Sequence, residues 1–178
     1  GRLVRSHVAE AIDSAPGDCL FFINLHLSDL SDPLLHAFDA PLSRVAERVV
    51  LEVTERVSLQ VTTELADQLK SLRNLGYRLA LDDLGAGYAG LTSFVRLEPE
   101  FVKLDTSLVH ELHHSEAKQK IVGSMVSLCH EMGKLVVAEG VEQLAERDAL
   151  LGLGCDLLQG YLFGEPGRLT LAPALEAV

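Results

Sequence analysis

Six short apolar runs, each with a polar side chain set into one face, mostly near its C-terminal end, constrain this chain more than any other feature. The runs are Leu20–His26, Val49–Glu55, Tyr77–Asp83, Phe101–Asp105, Lys134–Gly140 and Leu157–Phe163. Their length and their β-branched or aliphatic content predict parallel strands buried on both faces. Amphipathic segments separate several of them. Val61–Leu75 carries Val61, Leu65, Leu69 and Leu72 at helical spacing and stops at Gly76. Glu116–Met132 sets Ile121, Met125, Leu128 and Met132 on one face and stops at Gly133, and Glu142–Leu151 makes a shorter third helix. Such strand–helix–strand alternation predicts an α/β fold with a parallel sheet. With no linker, repeat or low-complexity tract, residues 1–178 read as one domain.

Composition narrows the class. Hydrophobic residues make up 48% and charged residues 23%, a globular balance, and no apolar run reaches the roughly 18 residues of a membrane span. The opening residues do not read as a signal peptide, so none is expected here. Cys19, Cys129 and Cys155 are far apart and lack CxxC spacing, which predicts buried free thiols and a reducing compartment. A cytoplasmic location is the expectation. The net charge of -11, from 26 acids against 15 bases, argues against a DNA- or RNA-binding surface. A small phosphate ligand remains compatible, because carboxylates can hold a cation that presents positive charge to it.

Period-two alternation then sorts the polar residues. Phe22, Asn24 and His26 share a face of the first run, and Val50, Glu52 and Thr54 one of the second. Ala80 with Asp82, Phe101 with Lys103 and Asp105, Leu135 with Val137 and Glu139, and Leu157 with Gln159 and Tyr161 complete the series. Scattered buried carboxylates are too costly without partners. Convergence on metal at the C-terminal mouth of a barrel removes that cost, and barrel enzymes place their sites there. Asn24, Glu52, Asp82, Asp83 and Glu139 form an oxygen-donor set suited to hard divalent cations. Two such ions can hold a phosphodiester and activate water.

Other residues carry less on their own. Lys103 sits inward in mid-strand, where an ammonium needs a carboxylate or a phosphate beside it. Glu55 and Glu142 lie just past strand ends, and each taken alone reads as a solvated or helix-starting acid. Asp82-Asp83-Leu84-Gly85-Ala86-Gly87-Tyr88 is a glycine-rich loop whose paired aspartates suit a metal-site loop. His113 and His114 read as a solvated loop, and His26 either lines the mouth or packs.

In order, Phe22-Ile23-Asn24-Leu25, Leu51-Glu52-Val53-Thr54-Glu55, Asp82 to Tyr88, Val102-Lys103-Leu104-Asp105, Ala138-Glu139-Gly140-Val141-Glu142 and Leu158-Gln159-Gly160-Tyr161 resemble the signature segments of EAL-domain cyclic di-GMP phosphodiesterases. The resemblance runs from about residue 15 to 166. It implies a TIM-like (β/α) barrel that opens cyclic di-GMP to linear pGpG by attack of water on phosphorus. By that likeness Asn24, Glu52, Asp82, Asp83 and Glu139 ligate one or two magnesium or manganese ions, and Lys103, Glu52 and Asp82 are catalytic. Lys103 would orient the attacking water or help deprotonate it. Gln159, Glu142, Glu55 and Asp105 make up the remaining cofactor- and ligand-binding set, with Gln159 on metal-bound water or ligand and Glu55 anchoring the loop that starts at Asp83. The resemblance also implies a homodimer contact through that loop, and an upstream sensor or GGDEF domain as a common neighbour.

Two departures stand out. Leu84 replaces the family's usual Phe, and the namesake Glu-Ala-Leu strand is missing, since Glu10-Ala11-Ile12 lies in a helix too close before Asn24 to replace it. The expectation is therefore a barrel lacking its first two strands, about six of the roughly eight that close it. One metal ligand would go with them, which keeps open a second reading, a non-catalytic receptor for cyclic di-GMP. A third, fold-only reading is another metal-dependent barrel enzyme, such as an enolase-like lyase.

Overall fold

The computed structural model describes residues 2–17, 19–54, 63–86 and 90–167. Six parallel strands form one curled sheet in sequential order, a half-barrel. They are β1 (Phe21–Asn24), β2 (Val49–Thr54), β3 (Arg78–Leu84), β4 (Phe101–Leu104), β5 (Leu135–Ala138) and β6 (Leu157–Leu158). The α-helices are α1 (Arg2–Ser14), α2 (Pro33–His36), α3 (Thr63–Asn74), α4 (Gly90–Leu97), α5 (Thr106–Val109), α6 (Glu116–Glu131) and α7 (Leu144–Gly152). No helix among the described residues is long and apolar enough to cross a membrane.

Sequence composition explains the layering. Every residue of β2 up to Val53 is buried, as a strand covered on both faces requires. The outward-facing Val49, Leu51, Val53, Leu79 and Leu81 join Leu65, Leu69 and Leu72 of α3 in the larger core. On the concave side Val50, Ala80, Phe101 and Val137, with Leu20 and Phe22, form a smaller apolar layer. Phe22 and Phe101 meet edge to face at 5.3 Å, and the Arg78 guanidinium lies 5.6 Å from the Phe101 ring centroid. This inner plug matters for function: two residues beyond Phe22, Val50, Ala80, Phe101 and Val137 stand Asn24, Glu52, Asp82, Lys103 and Glu139. One pleat period separates an apolar layer from a charged one.

Three local expectations change. Helix α6 covers the expected span but turns another stripe inward: Val122, Val126 and Cys129 are buried and Met125 packs against them. Ile121, Leu128 and Met132 are 41–50% exposed. The two stripes lie one residue apart, about 100° around the helix, and the shorter Val and Cys side chains allow the closer approach to the sheet. Cys129 and Cys155 are buried free thiols, raised by burial to about 11 and about 12, whereas Cys19 is only half-buried. His113 is half-buried with its Nδ1 enclosed, rather than solvated. Arg5 and Arg2 pair with Asp32, and Arg5 with Asp29, joining α1 to the turn before α2.

Candidate active site

Lys103 organises the C-terminal end of the sheet. It is 3% exposed, and its ammonium contacts the carboxylates of Glu52, Glu139 at 2.5 Å and Asp82 at 3.3 Å. These groups come from four strands or strand ends and meet because all occupy the concave face two residues above the apolar plug. Burial works against the ammonium, but hydrogen bonds to Glu139 and Glu52 outweigh it and raise its pKa. Burial likewise raises Glu52 and Glu139, with Lys103 opposing.

Alternation alone cannot bring Asp82 and Asp83 to one place, because neighbours in a strand face opposite ways. A bulge does so. The β3–β4 register runs Leu81↔Val102 and then Leu84↔Leu104, leaving one extra residue on β3. Asp83 takes φ +59, a left-handed conformation uncommon outside glycine. In consequence Asp82, Asp83 and Glu139 each offer a carboxylate oxygen within 4.8 Å of the others. Such local strain concentrates at sites where geometry is functional.

The residues fit a hard divalent cation. Asp82, Asp83, Glu139 and Glu52 bring four carboxylates to the end of the sheet, and Lys103 contacts three of them. Asp82 Oδ1 is buried without a hydrogen bond, its Lys103 contact being an ion pair only. An all-oxygen set with an unsatisfied acceptor suits Mg2+ or Mn2+ better than a softer metal.

The remaining expected residues sit around this centre. Asn24 ends β1 beside Glu52 in register, exposed at the sheet edge. Asp105 caps α5, accepting from Ser107 N at 2.9 Å, and so fixes the chain leaving Lys103. Gln159 follows β6; its backbone N–H donates to Ala138 O and its carbonyl accepts from Val141 N. Glu142 and His26 are exposed. Glu55, Gly87 and Tyr88 lie outside the described residues.

Two glycines let the mouth loops pack without gaps. A side chain on Gly160 would fall 2.1 Å from Val141 O, and one on Gly140, at φ +70, would fall 2.6 Å from the Thr106 side chain. The buried Glu146 escaped the sequence reading. It accepts hydrogen bonds from three backbone amides of the mouth loops, and its only sequence signal is the Gln143–Glu146 capping-box spacing.

Known proteins resemble this chain in sequence and fold. MucR of Pseudomonas aeruginosa, named a bifunctional diguanylate cyclase/cyclic di-GMP phosphodiesterase, is 38% identical over 98 residues, 55% of this chain and 14% of that protein. RocR of the same species, named a cyclic di-GMP phosphodiesterase, is 37% identical over 100 residues, 56% of this chain and 26% of that protein. The chain thus spans about a quarter or less of these relatives. Among solved structures, Klebsiella pneumoniae BlrP1 with calcium and cyclic di-GMP superposes at TM-score 0.82 and 37% identity, covering 92% of this chain and 43% of that one. The same protein with manganese and cyclic di-GMP gives a TM-score of 0.78 at 37% identity, over 91% of this chain and 43% of that one. The EAL domain family matches residues 1–166, and the chain belongs to that family.

Proposed function

We propose that this chain is a cyclic di-GMP phosphodiesterase domain, residues 1–178, that opens the cyclic dinucleotide to linear pGpG with one or two Mg2+ or Mn2+ ions. The observation that carries the reading is the meeting of Glu52, Asp82, Asp83, Glu139 and Lys103 at the C-terminal end of a curled parallel sheet. Relatives named as phosphodiesterases and the BlrP1 complexes with cyclic di-GMP support the substrate.

Asn24, Glu52, Asp82, Asp83 and Glu139 would hold the metal, which supplies positive charge toward a phosphodiester and a water more acidic than bulk. Lys103, in contact with Glu139 and Glu52, would orient the attacking water or help deprotonate it. Water adds to phosphorus, one P–O ester bond breaks, and the freed ribose oxygen leaves as a hydroxyl. By the family likeness Gln159 would reach the ligand from the end of β6, Glu142 would support the site and Glu55 would anchor the loop that starts at Asp83, while Asp105 caps the helix behind Lys103. Strands β1 and β6 each leave an edge unpaired among the described residues, which supports completion of the sheet by further polypeptide or a second copy.

The test is incubation with cyclic di-GMP and MnCl2, with pGpG quantified by chromatography and Asp82→Asn as control. Release of pGpG that Asp82→Asn abolishes supports the reading. Binding without release assigns a receptor instead, and absence of both overturns the proposal.

A further inference from the structure

Glu146 is 0% exposed, the least solvent-exposed acid among the described residues. Among the described residues no Lys or Arg ion pair holds it, and His110 Nδ1 lies 3.8 Å away. Backbone amides hold it instead. Oε1 accepts from Glu111 N at 2.8 Å, and Oε2 accepts from Glu142 N at 3.0 Å and Gln143 N at 3.1 Å.

Only the Gln143 bond belongs to the capping box that starts α7. The other two reach different loops. Glu142 lies three residues beyond Glu139, on the chain leaving β5. Glu111 lies on the chain leaving β4, which carries Lys103, and takes φ +53 at the corner where Glu146 receives its amide. One buried carboxylate thus ties together the two segments that follow Lys103 and Glu139, themselves in contact at 2.5 Å. The ties are also strong in kind. Charge-assisted bonds from backbone N–H groups are shorter and stiffer than neutral ones, and burial shields them from water. Burial alone would push this carboxyl up, yet the donated amides of Glu142, Glu111 and Gln143 hold it below its usual range.

We infer that Glu146 is a positioning residue for the metal site: by pinning the loops after β4 and β5 it sets where Glu139 and Lys103 stand relative to the bound cation. The inference rests on the metal-dependent reading of the site. Outer partners that orient ligands typically contribute about 10–100-fold to metal affinity.

The experiment measures Mn2+ affinity of the full chain from the EPR signal of free Mn2+, alongside Tm, for wild type, Glu146→Ala, Glu146→Gln and Gln143→Ala. The expected order is a loss of about 10-fold or more for Glu146→Ala. Glu146→Gln should lose about 5-fold or more, because its amide NH2 cannot accept from Glu111 N and the tie to the segment after β4 is broken, and Gln143→Ala about 2-fold or less, because it weakens only the helix cap. The inference falls if Glu146→Ala binds Mn2+ within about 2-fold of wild type, or if Gln143→Ala matches its loss. Should Glu146→Ala not fold, hydrogen exchange of the wild type decides. Mn2+ must then slow the Glu111, Glu142 and Gln143 amides more than those of α3, and equal slowing overturns the inference. A wild type that binds no Mn2+ removes the metal-dependent reading as well, which separates the two failures.

Discussion

Replacing Lys103 by methionine tests the electrostatics of the site directly. The side chain keeps its length and apolar stem, so packing against Phe101 and its neighbours is little changed, but the ammonium is lost. At an effective dielectric of about 20, the attraction to Asp82 at 3.3 Å is about 5 kcal/mol, and to Glu139 at 2.5 Å about 7 kcal/mol. Desolvation of the ammonium and repulsion among the acids cancel much of this. What remains is the cost of breaking a buried ion pair from one side, about 3–5 kcal/mol. For a chain of this size each kcal/mol moves Tm by about 2–4 °C, so Lys103→Met should unfold about 6–20 °C below wild type in EDTA. Urea denaturation in EDTA and in excess Mn2+ provides the assay. Mn2+ should narrow the gap, because a bound cation relieves the same carboxylates and stabilises only the folded state. Stability within about 0.5 kcal/mol of wild type in EDTA would refute the view that Lys103 holds the charged layer together.

Other perturbations probe separate parts of the reasoning. Gly160→Ala drives a methyl to within 2.1 Å of Val141 O, a backbone atom that cannot swing aside, so a loss of about 1–3 kcal/mol in denaturant stability is expected, together with weaker Mn2+ binding. Val122→Ala should cost about 1–2 kcal/mol and Ile121→Ala about 0.5 kcal/mol or less; the reverse order in urea titrations would mean α6 presents its other stripe. Asp32, hydrogen-bonded by Arg2, has its pKa lowered to about 2 from 3.8. Its stabilising contribution is therefore present above about pH 4 and lost as pH falls towards 2. Asp32→Asn should flatten that limb of a Tm-against-pH curve, and an unchanged limb would assign the acid loss elsewhere.

Much of this architecture is legible in the sequence because it follows a single period. The alternation that sets Glu52 above Val50 and Lys103 above Phe101 needs only the pleat, and the structure keeps those faces. Features that depend on pairing between strands are not legible in that way. The extra residue opposite β4 arises from registry with Val102 and Leu104, so a reading of β3 by itself puts Asp83 on the wrong side. Helix α6 shows the same limit. Ile121, Met125, Leu128 and Met132 are as periodic as Val122, Met125, Val126 and Cys129, and only the neighbouring surfaces select between them. Glu146 is harder still: its spacing from Gln143 announces a helix cap, and nothing local reveals that Glu111, 35 residues earlier, donates to the same carboxylate.

The charged layer and the apolar plug beneath it depend on each other. Phe22, Val50, Ala80, Phe101 and Val137 exclude water from below, which raises the cost of every acid above them and makes Glu52 and Glu139 easier to protonate. That same exclusion strengthens whatever cation the acids hold. Lys103 supplies one positive charge to three contacting carboxylates, and Asp83 adds a fourth to the cluster through its left-handed backbone. Among the described residues, the ammonium of Lys103 faces three contacting carboxylates, so the fold bears a local excess of negative charge where strands, bulge and glycine-packed loops converge. A divalent cation at this point would relieve most of that excess and, in the proposed function, present its own positive charge to a phosphodiester approaching a strongly acidic protein.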